Sequence, residues 1–545
     1  MAGAAVPARP TRILHVAAEA HPLIKTGGLA DVAGALPAAQ NRLGADARLL
    51  LPGYPAVLRE LARLGPVEPV GTPFGPVFGA ARVALLAGRI PGRRPAGDLP
   101  VIAIDAPWCF ARDGNPYVDH QGAGWADNAE RFALLAWVGA RIASGELLPG
   151  WVPDVLHAHD WHAALAPFYL SRHPTLRRRT VFTIHNLAFQ GLFPMAKAGA
   201  LGLPVDWLDA EGIEFHGELS FMKAALLCAD RITTVSPTYA REIATPAFGY
   251  GLDGLIRARA SRLRGILNGA DTDEWDPSRD PALAAPYAHY SAAAPAGKER
   301  CRQALLDEFG LNGRGATNPG DGGRGSASPS DSGGASGDAR RRGGPAPAAP
   351  LLAVVSRLSE QKGLDLLLSA APGLLARGVR IVVLGAGDPA LEHGFRALAQ
   401  AAPDQVALAT GFDEPLAHRI FAGADAIVVP SRFEPCGLTQ LYGLRYGSVP
   451  IVRKVGGLAD TVFDEREAAA TGRQANGFTF DDASPQGLAE AVHRAIDAFA
   501  SPPRWAALRQ AGMRADVSWE APARAYLSLY DGIHTTTRTP TNGVS

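Results

Sequence analysis

A chain of 545 residues is too long for one hydrophobic core and predicts two large domains, or three. Lys plus Arg and Asp plus Glu each total 53 and 47% of residues are apolar, which argues against nucleic-acid or acidic partners and favours a neutral ligand. Cys109, Cys228, Cys301 and Cys436 form no CxxC pair or zinc spacing, and no apolar run approaches 18 residues; no membrane span is expected, and reduced thiols in a cytoplasmic protein are. The basic residues are overwhelmingly Arg amid abundant Ala, Gly and Pro. That reads as coding bias, so a single Arg is not taken for a site.

The first residues, MAGAAVPARPTR, lack a continuous apolar core, and a strand predicted at 13–18 leaves little room for a cleaved leader. After it, Lys25-Thr-Gly27-Gly28-Leu-Ala-Asp31-Val leads into a helix through Leu36. Two glycines at a strand-to-helix turn allow close backbone approach to a ligand, and Lys25 adds a flexible positive charge suited to phosphate. An ordinary glycine-rich turn is the alternative. The patterns GxxxxGK[ST] and GxGxxG are absent, so neither a P-loop nor a dinucleotide fingerprint is supported.

Further strands are predicted at 48–52 and 101–105. The segment GNPYVDHQGAGWADNAERF at 114–132, running into a helix at 128–143, is either a sugar-binding loop of rings and polar groups or a loop without a role. The strand within 153–161, PDVLHAHDW, places His157 and His159 on one face and Asp160 at its mouth. HxHD could begin a metal site, but the ligand count is incomplete, and a sugar-facing Asp160 is the better reading. VFTIHNLAFQ at 181–190 repeats the layout and delivers His185 and Asn186 to the same edge. Two short buried strands are predicted within 229–237 and 264–271, and the Asn268-Gly269 turn marks the exit from the first domain.

From 312 to 350 the composition turns to Gly, Ser, Pro, Asp and Arg, which predicts a disordered insertion. It lies inside the second domain, between an amphipathic helix at 297–309 and a strand at 351–355. That strand delivers Arg357, and Lys362 opens a helix; the two could clamp a diphosphate or form a solvated basic turn. Strands at 381–387 and from Val406 follow, with Phe412 where a base could stack. The apolar run 426–430 then enters PSRFEPCGLTQLYGLRYG. Gly437, Leu438 and Thr439 are predicted as the first turn of the next helix, whose N-terminus aims backbone N–H groups at an anion, with Glu434 and Cys436 in the loop before it. A strand at 449–452, the turn Val455-Gly456-Gly457-Leu458-Ala459-Asp460 and a helical region at 519–530 complete the chain.

Two sets of alternating strands and helices predict an α/β protein of two Rossmann-like, doubly wound domains facing a cleft. At this point the chain resembles the bacterial glycogen synthases, which are similar to starch synthases. The matching stretches are KTGGLADV from Lys25, HAHDWH from His157, TIHNLAFQG from Thr183, SRLSEQKGLD from Ser356 and PSRFEPCGLTQLY from Pro430. The resemblance implies the GT-B fold, with domains at 1–267 and 268–515 and a last helix at 516–533 crossing back to the first. It implies cofactor-free and metal-free transfer of glucose from ADP-glucose to the 4-hydroxyl of an α-1,4-glucan, with retention.

By motif, Arg357 and Lys362 would hold the diphosphate, aided by Gly28 and the backbone of Leu438 and Thr439. Glu434 would take the glucose hydroxyls, the carbonyl of His185 would support positive charge at the anomeric carbon, Asp160 would orient the sugar, and Lys25 would lie beside both. Gly27, Asp31, Asn186, Asn268, Phe412, Cys436 and Gly437 complete the expected substrate-binding set. Phe412 stands where the family usually has Tyr, and the insertion is longer than is typical. The alternatives are a retaining GT-B enzyme using a UDP-sugar and a non-catalytic glucan-binding protein. Arg357, Lys362 and Glu434 are all present, which argues against the latter.

Overall fold

In the computed structural model, residues 9–92, 97–112, 114–173, 179–312 and 349–533 are described. The expected disorder of the insertion falls on 313–348, outside those residues. The apolar runs become strands β1 (Arg12–Val16), β2 (Asp46–Pro52), β3 (Glu68–Phe74), β4 (Val83–Ile90), β5 (Leu99–Asp105), β6 (Val155–His159) and β7 (Arg179–Ile184). A small antiparallel sheet of β8 (Leu192–Pro194), β9 (Glu214–Phe215) and β10 (Glu218–Ser220) follows, then β11 (Arg231–Thr234) and β12 (Leu263–Gly265). The later strands are β13 (Leu351–Val355), β14 (Arg380–Gly385), β15 (Val406–Thr410), β16 (Ala426–Val429), β17 (Val449–Arg453) and β18 (Phe478–Phe480).

The second sheet, β15-β14-β13-β16-β17-β18, is wholly parallel. Numbered within the domain, that is 3-2-1-4-5-6, the Rossmann order. The first sheet, β12-β11-β7-β6-β1-β2-β5-β4-β3, has the same order among its parallel strands, extended by one at the β12 edge. Its other edge departs from the expectation, because β4 runs antiparallel to both β5 and β3. A second correction concerns β12. It is an edge strand with one neighbour and is not buried, as the sequence reading had it.

Each sheet is covered on both faces, so its central strands are buried throughout, wholly apolar in the second sheet and with histidines among the apolar residues in the first. In the first, Leu14, Leu156 and Phe182 face a core shared with helix Asn128–Ser144, while Ile13, Val155 and Val181 face helices Gly28–Arg42 and Glu520–Asp531. The former helix continues through Pro37, past the predicted stretch. In the second, Leu352 and Val354 face helices Leu364–Ala376 and Pro485–Phe499, while Leu351 and Ala353 face Gly297–Glu308 and Glu414–Gly423.

The chain passes between the sheets twice, and the crossings run side by side. Ala270 N–H donates to the Val517 carbonyl at 2.7 Å. A Cβ on Gly269 would lie 2.6 Å from the Ser518 carbonyl, so only glycine lets the crossings meet. Helix Glu520–Asp531 then packs on the first sheet.

Candidate active site

Doubly wound sheets bind ligands where the strand order reverses, outside the carboxyl ends of the strands. Those points lie between β1 and β6 in the first sheet and between β13 and β16 in the second. The loops leaving these four strands carry most of the sequence-predicted residues.

After β1, buried Glu19 accepts from Thr26 N–H at 2.5 Å and from the Thr26 hydroxyl at 2.6 Å, folding the loop so that helix Gly28–Arg42 opens at the glycines. Lys25 Nζ lies 2.8 Å from Asp31 Oδ1 in that helix's first turn and 3.7 Å from Glu414 of the second domain. Gly27 has open space around it, and a Cβ on Gly28 would sit 3.9 Å from Leu438 of the second domain. Lys25, Gly27, Gly28 and Asp31 are therefore brought to the cleft together.

After β6, Asp160 adopts φ +55°, uncommon for a residue with a side chain, and its Oδ1 accepts from the N–H groups of His185 (3.2 Å) and Asn186 (3.4 Å). Burial pushes this carboxyl up to about 7, although both N–H groups favour the carboxylate. His185 donates or accepts through Nε2 to His159 Nδ1 at 3.0 Å, while Asn186 turns its side chain back to Ala188 N–H.

In the second domain, Lys362 Nζ meets Glu434 Oε2 at 2.6 Å, and the Ser431 hydroxyl donates to the same oxygen at 2.8 Å. These groups come from the loops after β13 and β16. Gly363 makes the approach feasible: at φ +63° its Cβ would lie 2.2 Å from the Pro430 carbonyl. Arg357 is exposed beside them and has no ion-pair partner among the described residues.

The helix after β16 begins at Thr439, with Leu438 before it; Gly437 takes φ +74° and closes the loop, so it does not belong to the first turn as expected. Cys436 is buried, and burial pushes its thiol up to about 12, which rules out a thiolate nucleophile at neutral pH. The Asn268 N–H points at that thiol, and its side-chain Oδ1 is buried without a partner among the described residues. Phe412 stands apart. It is 78% exposed at the end of edge strand β15, with no ring partner among the described residues.

The turn at 455–460 was expected, but not what its glycines do for the site. Gly456 (φ +44°) and Gly457 are passed so closely by the Glu434 and Cys436 carbonyls that a Cβ would fall 2.0 and 2.1 Å from them. The echo of Gly-Gly-Leu-Ala-Asp at 27–31 and 456–460 was the available signal. The domains also touch through Thr238 and Asp460, bonded twice at 2.8 Å, through Ser236 and the Pro435 carbonyl at 2.7 Å, and through Gly456 N–H and Glu242 at 2.9 Å.

His15, His157 and His159 cluster closely enough to suggest metal ligation. All six of their ring nitrogens already make hydrogen bonds, so a metal would have to displace them.

Two Rossmann-ordered sheets, with charged and glycine-rich loops meeting across a cleft, define a glycosyltransferase of the GT-B class. Residues 12–258 match the starch synthase catalytic domain family, and 349–498 match glycosyl transferases group 1. The chain belongs to the glycogen synthase family. It is 46% identical to the glycogen synthase of Variovorax paradoxus (strain S110) over 95% of this chain and 98% of that one. It is 48% identical to that of Thioalkalivibrio sulfidiphilus (strain HL-EbGR7) over 95% and 99%.

The catalytic domain of starch synthase IV from Arabidopsis thaliana, solved bound to ADP and acarbose, superposes with a TM-score of 0.80 at 31% identity, covering 96% of this chain and 99% of that one. Sucrose-phosphate synthase from Thermosynechococcus elongatus shares the fold, at a TM-score of 0.53 and 17% identity over 96% and 98%. No helix among the described residues is long and apolar enough to cross a membrane.

Proposed function

We propose that this enzyme transfers glucose from ADP-glucose to the non-reducing 4-hydroxyl of an α-1,4-glucan such as glycogen, with retention, in the cytoplasm and without a metal or other cofactor. The observation that carries the reading is the pairing of Lys362 and Glu434 at 2.6 Å at the second switch point, facing the glycine loop of the first domain. The glycogen synthase relatives and the ADP and acarbose of the starch synthase structure support the choice of donor and acceptor.

Residues 1–267 form the acceptor side, 268–515 the nucleotide side, and 516–533 return to the first domain. Lys362 neutralises Glu434 in the free protein. With donor bound, its ammonium and the Arg357 fork take the diphosphate, joined by the N–H groups around Leu438 and Thr439 at the helix start. Glu434, still held by Ser431, takes hydroxyls of the glucose. The bond from the anomeric carbon to the ADP oxygen breaks while the acceptor O4 bonds to that carbon on the same face. The acceptor's proton passes to the departing phosphate. The His185 carbonyl faces the positive charge that develops, Asp160 holds that segment in place through its two N–H bonds, and Lys25 lies beside the phosphates. Fixed cations and a helix terminus aimed at a leaving diphosphate are an electrostatic mode of catalysis.

Initial rates with glycogen and ADP-glucose or UDP-glucose, with and without EDTA, test the reading. EDTA-resistant ADP release is expected from ADP-glucose. Activity only with UDP-glucose would overturn the donor, and glucan binding without turnover of either would overturn the enzyme assignment.

A further inference from the structure

The sheet face beneath helices Gly28–Arg42 and Glu520–Asp531 is polar at its centre. Strand alternation and register put His15, His157, His159, Thr183 and Thr233 on that face, all fully buried, with His185 next in phase. Gln40 and Tyr530, also fully buried, descend onto them from the two helices.

A neutral imidazole has one N–H and one lone pair, so the direction of one bond fixes the next. Gln40 Nε2 donates to the Tyr530 hydroxyl at 3.0 Å, so its Oε1 accepts from His15 Nε2–H at 2.8 Å. His15 Nδ1 must then accept from His159 Nε2–H at 2.9 Å, and His159 Nδ1 from His185 Nε2–H at 3.0 Å. On the other branch, Tyr530 gives its own proton to His157 Nδ1 at 2.8 Å. His157 Nε2–H goes to Thr183 at 2.6 Å, and Thr183 to Thr233 at 2.6 Å.

Burial keeps the rings neutral and the chain unbroken: His15 is lowered to about 4, His185 to about 3, and His157 and His159 well below their usual range. Of the four histidines only His185 keeps any exposed surface, and its Nδ1 has no partner among the described residues.

We propose that Tyr530 and Gln40 are positioning residues: through His15 and His159 they hold His185 as the Nε2–H tautomer, leaving its Nδ1 lone pair to accept from a hydroxyl of the sugar in the cleft. The sugar rests on the proposed function; the tautomer does not. Tyr530 lies on the helix that follows the second crossing, so docking of that helix is tied by hydrogen bonds to a strand-end of the site. The polarity is collective, because reversing it at His185 requires turning the Gln40 amide and every ring proton between.

The test is nitrogen-15 NMR of the deuterated full-length protein with labelled histidines, without any sugar nucleotide, between pH 6 and 8. Nε2–H tautomers are expected for His15, His157, His159 and His185. In Tyr530→Phe, His185 should acquire a measurable Nδ1–H population, and kcat should fall about tenfold with the KM for ADP-glucose nearly unchanged. Gln40→Met, which keeps the tyrosine, should act the same way and serves if the first variant folds poorly. An Nδ1–H tautomer at His185 in the parent protein overturns the proposal. So does an unchanged His185 tautomer in both variants, even if activity falls, since that leaves only a packing role. Inactivity of the parent protein with ADP-glucose, alongside the expected tautomers, would overturn the donor and leave the relay standing.

Discussion

In the loops after β6 and β7 of the first sheet the polar groups are desolvated: a histidine whose ring is bonded into a buried chain, and an aspartate pushed up to about 7 that rests on two backbone N–H groups; the charged pair Lys25–Asp31 stands after β1. At the switch point of the second sheet stand an exposed arginine, a lysine paired with a glutamate at 2.6 Å, and a helix start. The strand order is shared, so topology cannot account for the difference. On the proposed function one scaffold divides the labour: its second copy carries most of the charge set against the diphosphate, with Lys25 added from the first, whose buried Asp160 and His185 orient the sugar.

The comparison breaks most sharply if charge in the second domain is dispensable. Lys362→Ala and Glu434→Ala should each lower kcat about 10²–10³-fold with the fold intact, as removal of a group that stabilises transition-state charge does. An effect below tenfold would remove the pair from the reaction. Next in size is Gly363→Ala, whose methyl would meet the Pro430 carbonyl at 2.2 Å on a backbone at φ +63°. It should cost about 3 kcal/mol in denaturant unfolding and separate Lys362 from Glu434.

Asp160→Asn sharpens the contrast through pH. The folded carboxyl lies at about 7, above the ordinary value of 3.8. The native state therefore keeps a proton that the unfolded chain has lost, and stability falls as pH rises from about 4 to 7. Relative to the Asn variant, the parent protein should lose about 2 kcal/mol between pH 5 and 7. Equal pH dependence in unfolding titrations of the two proteins would show a solvated carboxylate. The smallest effect is expected at the rim: Phe412→Ala should raise the KM for ADP-glucose about threefold with kcat unchanged, as loss of a partly solvated stack would. An unaltered KM would take Phe412 out of the donor site.

Much of this contrast is legible in the chain itself. Strands β13 to β17 and most parallel strands of the first sheet emerge nearly at their predicted bounds, because burial on both faces leaves mostly apolar runs in the central ones; β12, at an edge, does not. The switch-point loops are marked by glycines and by polar residues at strand ends. The antiparallel edge is not marked: β3 reads EPVGTPF, mostly exposed, and resembles a loop in composition.

Pairings between distant residues are equally silent in the sequence. Lys362 and Glu434 lie 72 positions apart, His157 and Tyr530 lie 373 apart, and Gln40 looks like any surface glutamine of an amphipathic helix until the C-terminal helix buries it. Glu19, buried beneath the glycine loop, is silent for the same reason: a carboxylate's partner is chosen by the fold.

The division of labour is tested most directly by calorimetric titration of ADP into the parent protein, Lys362→Ala and Asp160→Asn. The account predicts that ADP affinity falls at least tenfold in Lys362→Ala, and that Asp160→Asn binds ADP like the parent protein while losing turnover. Loss of ADP affinity in Asp160→Asn, or unchanged affinity in Lys362→Ala, would contradict it.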